Sequence, residues 1–150
     1  MLLIQNGLLF SMETNEPIRG DLLCDKGKIL QIAEHIAPSK QMQVIDATGM
    51  GVYPGFIDAH SHNDWFALRS DPLPWFAPFI RQGITTFVGG NCGMGIAPAH
   101  NPEFVDAYMM KKLKLEGDLT VTWKTYKEWL DHLDTLQLGP NYVPLVGHNA

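Results

Sequence analysis

The sequence predicts an α/β protein in two parts: an all-β segment over residues 1–50, then strand–helix units of a parallel sheet over residues 51–150. Three observations carry this. Between Leu2 and Ala47, short apolar runs alternate with turn residues and no helical period fits. From Gly51 the order becomes strand, helix, strand, helix, helix, strand, the alternation that parallel strands with crossover helices require. Hydrophobic residues make up 45% and charged residues 18% of the chain, enough apolar surface for a core and too much for wholesale disorder.

The elements follow in order. Leu2-Leu3-Ile4-Gln5, Asn6-Gly7 and Leu8-Leu9-Phe10 read as strand, hairpin turn and strand. Asp21–Asp25 and Ile29–Ile32 flank a second turn at Lys26-Gly27-Lys28, and Val44-Ile45 is the next apolar pair. Val52–His60 is an apolar strand entered through Pro54-Gly55. A helix is expected over Leu73–Gln82, with Gly83 as its stop. Ile84–Val88 is β-branched and aromatic, a buried strand that runs into the glycine-rich Gly89–Gly95. Asn101-Pro102-Glu103 opens a helix to about Leu115, with Lys111, Lys112 and Lys114 on a solvated face. Trp123, Tyr126, Trp129, Leu130, Leu133 and Leu136 form one helical stripe, with a capping box at Thr125 and Glu128 and a stop at Gly139-Pro140. Tyr142–His148 closes the pattern as a third buried strand.

Composition narrows the function. Eleven basic against sixteen acidic residues, with no Lys/Arg run, exclude a nucleic-acid binder. Two distant cysteines, Cys24 and Cys92, make no disulfide framework. Met1–Asn6 lacks the features of a signal peptide and no window holds 18 uninterrupted apolar residues, so a soluble cytoplasmic protein without membrane partners is expected. Residues 51–100 hold eight of the fifteen aromatics and only five charges, which marks that third as interior.

His60-Ser61-His62 is the strongest chemical signal. On a continuing strand, residues two apart share a face, so the two imidazoles could hold one divalent ion. The bare pattern is weak: six histidines in 150 residues give it by chance in about one such chain in four, and two surface histidines in a loop are the plain alternative. Its place at the C-terminal end of an apolar strand favours a site, because parallel α/β folds bind ligands there. Asp64 would share that face if the strand continued. Cys92 follows the next strand at the same end, either as a ligand or nucleophile or as a small residue in a turn. His148 follows the third strand, as a site residue or a polar terminus. Cys24 is assigned to packing, and His35, His100 and His132 to the surface. Gly89–Gly95 lacks the register of a phosphate loop, and no Gly-x-Ser-x-Gly elbow occurs.

These residues together resemble a known family. Val52-Tyr53-Pro54-Gly55-Phe56-Ile57-Asp58-Ala59-His60-Ser61-His62 is similar to the entry of the metal-dependent amidohydrolase superfamily. Gln82-Gly83-Ile84-Thr85-Thr86, Gly90-Asn91-Cys92-Gly93, Ala97-Pro98 and Leu145-Val146-Gly147-His148-Asn149 resemble the N-acyl-D-amino-acid deacylases (D-aminoacylases) within it.

The resemblance implies a (β/α)8 TIM barrel, of which residues 51–150 supply about three strands, preceded by part of a small β-sandwich in residues 1–50. It implies one or two zinc ions at the barrel mouth. His60 and His62 would hold one metal position, and Cys92 would bind or bridge at the tighter one. The implied reaction is hydrolysis of an N-acyl-D-amino acid, with Asp64 and His148 as candidates for contact with the substrate or with the ligands. Two further histidine ligands and the general-base aspartate are expected beyond Ala150, since a barrel of this kind needs about 250 residues. The chain is therefore expected to be an N-terminal portion completed by a C-terminal portion or a second chain, and to be inactive and poorly soluble alone because of its open sheet edge. Two alternatives stand beside this: an amidohydrolase of cyclic amides or dipeptides, and a non-catalytic metal-binding or interaction protein.

Overall fold

A computed structural model of the chain describes residues 1–103, 105, 107 and 121–148. The chain divides into two units, Met1–Pro54 and Gly55–Ala150.

The first unit is a five-stranded sheet of β1 (Leu2–Leu9), β2 (Ile18–Asp25), β3 (Lys28–Ala33), β4 (Gln43–Asp46) and β5 (Gly51–Val52). The strand order is β3-β2-β1-β4, and β5 also pairs with β1. β1, β2 and β3 run antiparallel in sequence, whereas β4 and β5 lie parallel to β1, so the unit is not built of hairpins alone. Lys26 and Gly27 both have positive φ (48° and 74°), the backbone that a two-residue hairpin turn needs. Leu3, Leu23 and Ile36 form the core of this unit.

The hairpin expected at Asn6-Gly7 is absent. Leu2–Leu9 is one strand, and its register against β2 shifts between Ile4 and Gly7. Asn6, at φ 61°, forms a bulge there. A buried carboxylate favours the bulge over a turn. Asp21 is 1% exposed, and its Oδ1 accepts the Asn6 N–H at 2.8 Å. Its Oδ2 accepts the Ile36 N–H at 2.8 Å and the Gln5 amide at 3.2 Å. Asp21 therefore ties the bulge of β1 to the segment that follows β3.

The second unit contains β6 (Phe56–Asp58), α1 (Pro72–Ile80), β7 (Ile84–Gly89), α2 (Tyr126–Leu133) and β8 (Asn141–Pro144). The strands form a parallel sheet in the order β6-β7-β8. The mixed α/β architecture and the count of three parallel strands are those expected. Pro72 and Pro74 start α1, where a missing N–H costs nothing. Thr125 and Glu128 make the reciprocal capping box of α2. That helix is shorter than the apolar stripe. Trp123 precedes it and Leu136 follows it, and both still pack with the core around Phe76, Phe87 and Trp129. The helix expected from Asn101 to about Leu115, with its lysines, lies largely outside the described residues. Among the described residues no helix is long and apolar enough to cross a membrane.

Two strands differ from expectation in burial and length. Phe56 and Ile57 are 54% and 66% exposed, although β6 reads as a buried strand. Parallel strands are buried only when both sides and both faces are covered, and among the described residues β6 pairs with β7 alone. β8 ends at Pro144 rather than running to His148.

Asp21 yields a pH prediction. The backbone N–H groups of Asn6 and then Ile36 hold its carboxyl below the ordinary value of 3.8. A lowered carboxyl pKa contributes stability that is present above the unfolded value and is lost as pH falls through the folded one. Asp21→Ala, which leaves two N–H groups without their acceptor, is expected to cost about 2–3 kcal/mol at neutral pH in urea unfolding. The gap between wild type and variant should hold down to about pH 4 and close below it.

Candidate metal centre

β6 stops at Asp58, so the strand does not carry the histidines. The Asp58 side chain accepts the His60 N–H at 3.3 Å, a local bond that turns the chain out of the ladder. Asn63–Leu68 then winds into a short 3-10 helix. His60 and His62 still face each other, with ring centroids 6.0 Å apart at 72°. They are brought together by a bend and not by the two-residue repeat of a strand.

Cys92 sits beyond the end of β7 in the 3-10 turn Asn91–Gly93. Its φ is +57°, between Gly90 at 81° and Gly93 at 70°. A non-glycine residue there carries roughly 1–3 kcal/mol of strain. The turn brings Cys92 Sγ to 3.4 Å from His60 Nε2. One donor atom from each of His60, His62 and Cys92 lies within 4.8 Å of the others, and all three side chains are exposed.

The donor set fits a zinc ion. Around a tetrahedral zinc, nitrogens at about 2.0–2.1 Å and a thiolate at about 2.3 Å lie roughly 3.3–3.6 Å from one another. The His60–Cys92 separation already has that value. Two imidazoles and a thiolate suit a borderline-soft ion and leave a fourth position open.

Asp64 lies against this region but is not exposed to it. Its relative exposure is 0%, and neither carboxylate oxygen accepts a hydrogen bond of ordinary geometry. It packs against Gly89, where an added Cβ would stand 2.8 Å from Asp64 Cβ and 2.8 Å from Tyr142 Cε2. Burial pushes the Asp64 carboxyl up to about 7, and the nearby N–H groups of Asp64 and Gly90 offset only part of that. Tyr142 is pushed up as well, by burial and then by the neighbouring Asp64 charge.

His148 is exposed and lies outside the three-donor cluster. Cys24 is partly buried within β2. His132 is not the surface residue expected. It is half-buried and stacks on Trp123, with centroids 5.1 Å apart at 27°. Its three-residue spacing from Trp129 on α2 was the available signal. Gly89 was read only as part of a glycine-rich loop, while its position is the one that leaves room for Asp64.

A sequence profile of the amidohydrolase family matches residues 43–139. The chain belongs to the amidohydrolase family. N-acyl-D-aspartate deacylase from Alcaligenes xylosoxydans xylosoxydans is 36% identical over 133 residues, which is 88% of this chain and 25% of that protein. D-aminoacylase from the same organism is 32% identical over 136 residues, 89% of this chain and 25% of that protein. A crystal structure of N-acyl-D-glutamate deacylase from Bordetella bronchiseptica, complexed with zinc and a phosphonate inhibitor, superposes with a TM-score of 0.69 at 30% identity. That match covers 98% of this chain and 29% of the solved one. The resemblance to the deacylases is thus borne out, and this amidohydrolase chain spans about a quarter of the length of the curated relatives it matches.

Close packing at the end of β7 leads to a test. Gly89→Ala is expected to destabilise the chain by about 1–3 kcal/mol in chemical denaturation, since the added methyl overlaps both Asp64 and Tyr142.

Proposed function

We propose that this chain carries part of the metal centre of an N-acyl-D-amino-acid deacylase, which hydrolyses the amide bond of an N-acyl-D-amino acid to a carboxylate and a free D-amino acid. One observation carries the reading: His60, His62 and Cys92 converge beyond the C-terminal ends of two adjacent parallel strands, in a chain whose relatives are deacylases. Ligand sites in barrels of this kind stand at that end of the strands.

His60 and His62 bind through ring nitrogens, and Cys92 through its sulfur. Zinc held by these three residues would supply Lewis acidity toward an amide carbonyl and would make water acidic near neutral pH. Asp64 is buried and sits against Gly89, the strand end that precedes the Cys92 turn. On this reading, two further histidine ligands and an aspartate that moves a proton from water to the leaving amine would come from barrel strands outside residues 1–150. The substrate is a small molecule, and the thiol ligand suits the reducing cytoplasm.

Two measurements test this. Titration with cobalt(II) should give one ion per chain and a thiolate-to-metal charge-transfer absorption. Cys92→Ala should abolish that absorption, and His60→Ala should weaken binding by about 10- to 100-fold. With zinc, the 150-residue chain should hydrolyse none of N-acetyl-D-amino acids, N-acetyl-L-amino acids or cyclic amides above the zinc blank. The chain completed by barrel strands with two further histidines and an aspartate should hydrolyse the D series. Preference for L or cyclic substrates would replace the deacylase reading with another amidohydrolase activity.

A further inference from the structure

We infer that Asn91 is the positioning residue that sets the separation between the histidine and cysteine ligands. The inference rests on the metal-centre reading above and goes beyond it, to a residue that binds no metal.

Asn91 Nδ2 donates two hydrogen bonds, to the Ser61 carbonyl at 3.2 Å and to the Val88 carbonyl at 2.7 Å. Both partners are acceptors, so only the NH2 end of the amide can face them. Ser61 is the residue between His60 and His62, and Asn91 immediately precedes Cys92. The Ser61 N–H also donates to the Val88 carbonyl, at 3.2 Å. The backbone between the two histidines, the last turn of β7 and the cysteine turn therefore meet at one carbonyl and one side-chain amide.

The side-chain link adds to the little that regular structure supplies between these two segments. β6 ends two residues before His60, and beyond it the backbone bond from the Ser61 N–H to the Val88 carbonyl ties the histidine segment to β7. The Cys92 turn has a backbone conformation that the residue does not favour by itself. A side-chain amide that bridges the two segments holds both while leaving the three donor atoms free. Ser61 is a buried residue, at 7% exposure.

Asn141 provides a matched control. Its Nδ2 donates to the Thr85 carbonyl at 3.1 Å and faces Thr86 Oγ1 at 3.4 Å, toward the opposite end of β7. The test is cobalt(II) titration of the 150-residue chain, with folding monitored by circular dichroism. Asn91→Asp keeps the shape but sets a carboxylate against two carbonyls, and Asn91→Ala removes the donors without adding charge. Both are expected to bind cobalt about 10- to 100-fold more weakly and to lose thiolate charge-transfer intensity, while Asn141→Asp stays within about twofold of wild type. Wild-type affinity and absorption in both Asn91 variants would overturn the inference, and so would a lowered melting temperature with unchanged metal binding. If the wild-type chain shows no thiolate absorption with cobalt, the metal-centre reading fails and this inference falls with it.

Discussion

The second unit depends on the pairing of β7 with a parallel strand on each side. Because β6, β7 and β8 all run the same way, their C-terminal ends meet at one edge of the sheet. Every loop that leaves that edge is anchored to the last residues of β7. Val88 O receives the Ser61 N–H, and Gly89 O receives the Leu145 N–H at 3.0 Å. Below that edge, the ring of Phe87 lies between Phe76, at 5.1 Å, and Tyr142, at 4.5 Å. These stacked rings bind the helix layer to the sheet through dispersion and apolar burial. The strand end is thereby packed from below where loops with little regular structure of their own leave it.

The first unit is organised by a different kind of contact. Its apolar core is small, and a single carboxylate gathers three segments of backbone and side chain. A buried charge is tolerated there because N–H donors replace its water. Asp64 is the opposite case, equally buried, with neither oxygen in a hydrogen bond of ordinary geometry and with the nearby N–H groups of Asp64 and Gly90 offsetting only part of the burial. The same residue type thus stabilises one unit as an ionised acceptor and sits in the other under conditions that favour its neutral form.

Much of this was legible in the sequence. The strand–helix alternation, the capping box at Thr125 and Glu128, and the His60-Ser61-His62 pair rest on local patterns, and local patterns survive folding; Cys92 stood open between ligand and turn residue, and only the family resemblance favoured the first. What was not legible depended on contacts distant in sequence. Asn6-Gly7 permits positive φ, which serves a turn and a bulge equally, and the choice rested on Asp21, fifteen residues away. The end of β6 depended on an Asp58 side-chain bond that competes with the ladder. The role of Asn91 was hidden because its partners, Ser61 and Val88, come together only when β6 and β7 pair.

The positive φ of Cys92 sets chemistry against backbone comfort at one position. A glycine there would relax the turn by about 1 kcal/mol or more, and would also take away the sulfur. Selection for thermal stability alone would therefore favour losing this side chain. On backbone grounds alone Cys92→Gly is therefore a stabilising exchange, made at the one position of this turn that carries a sulfur.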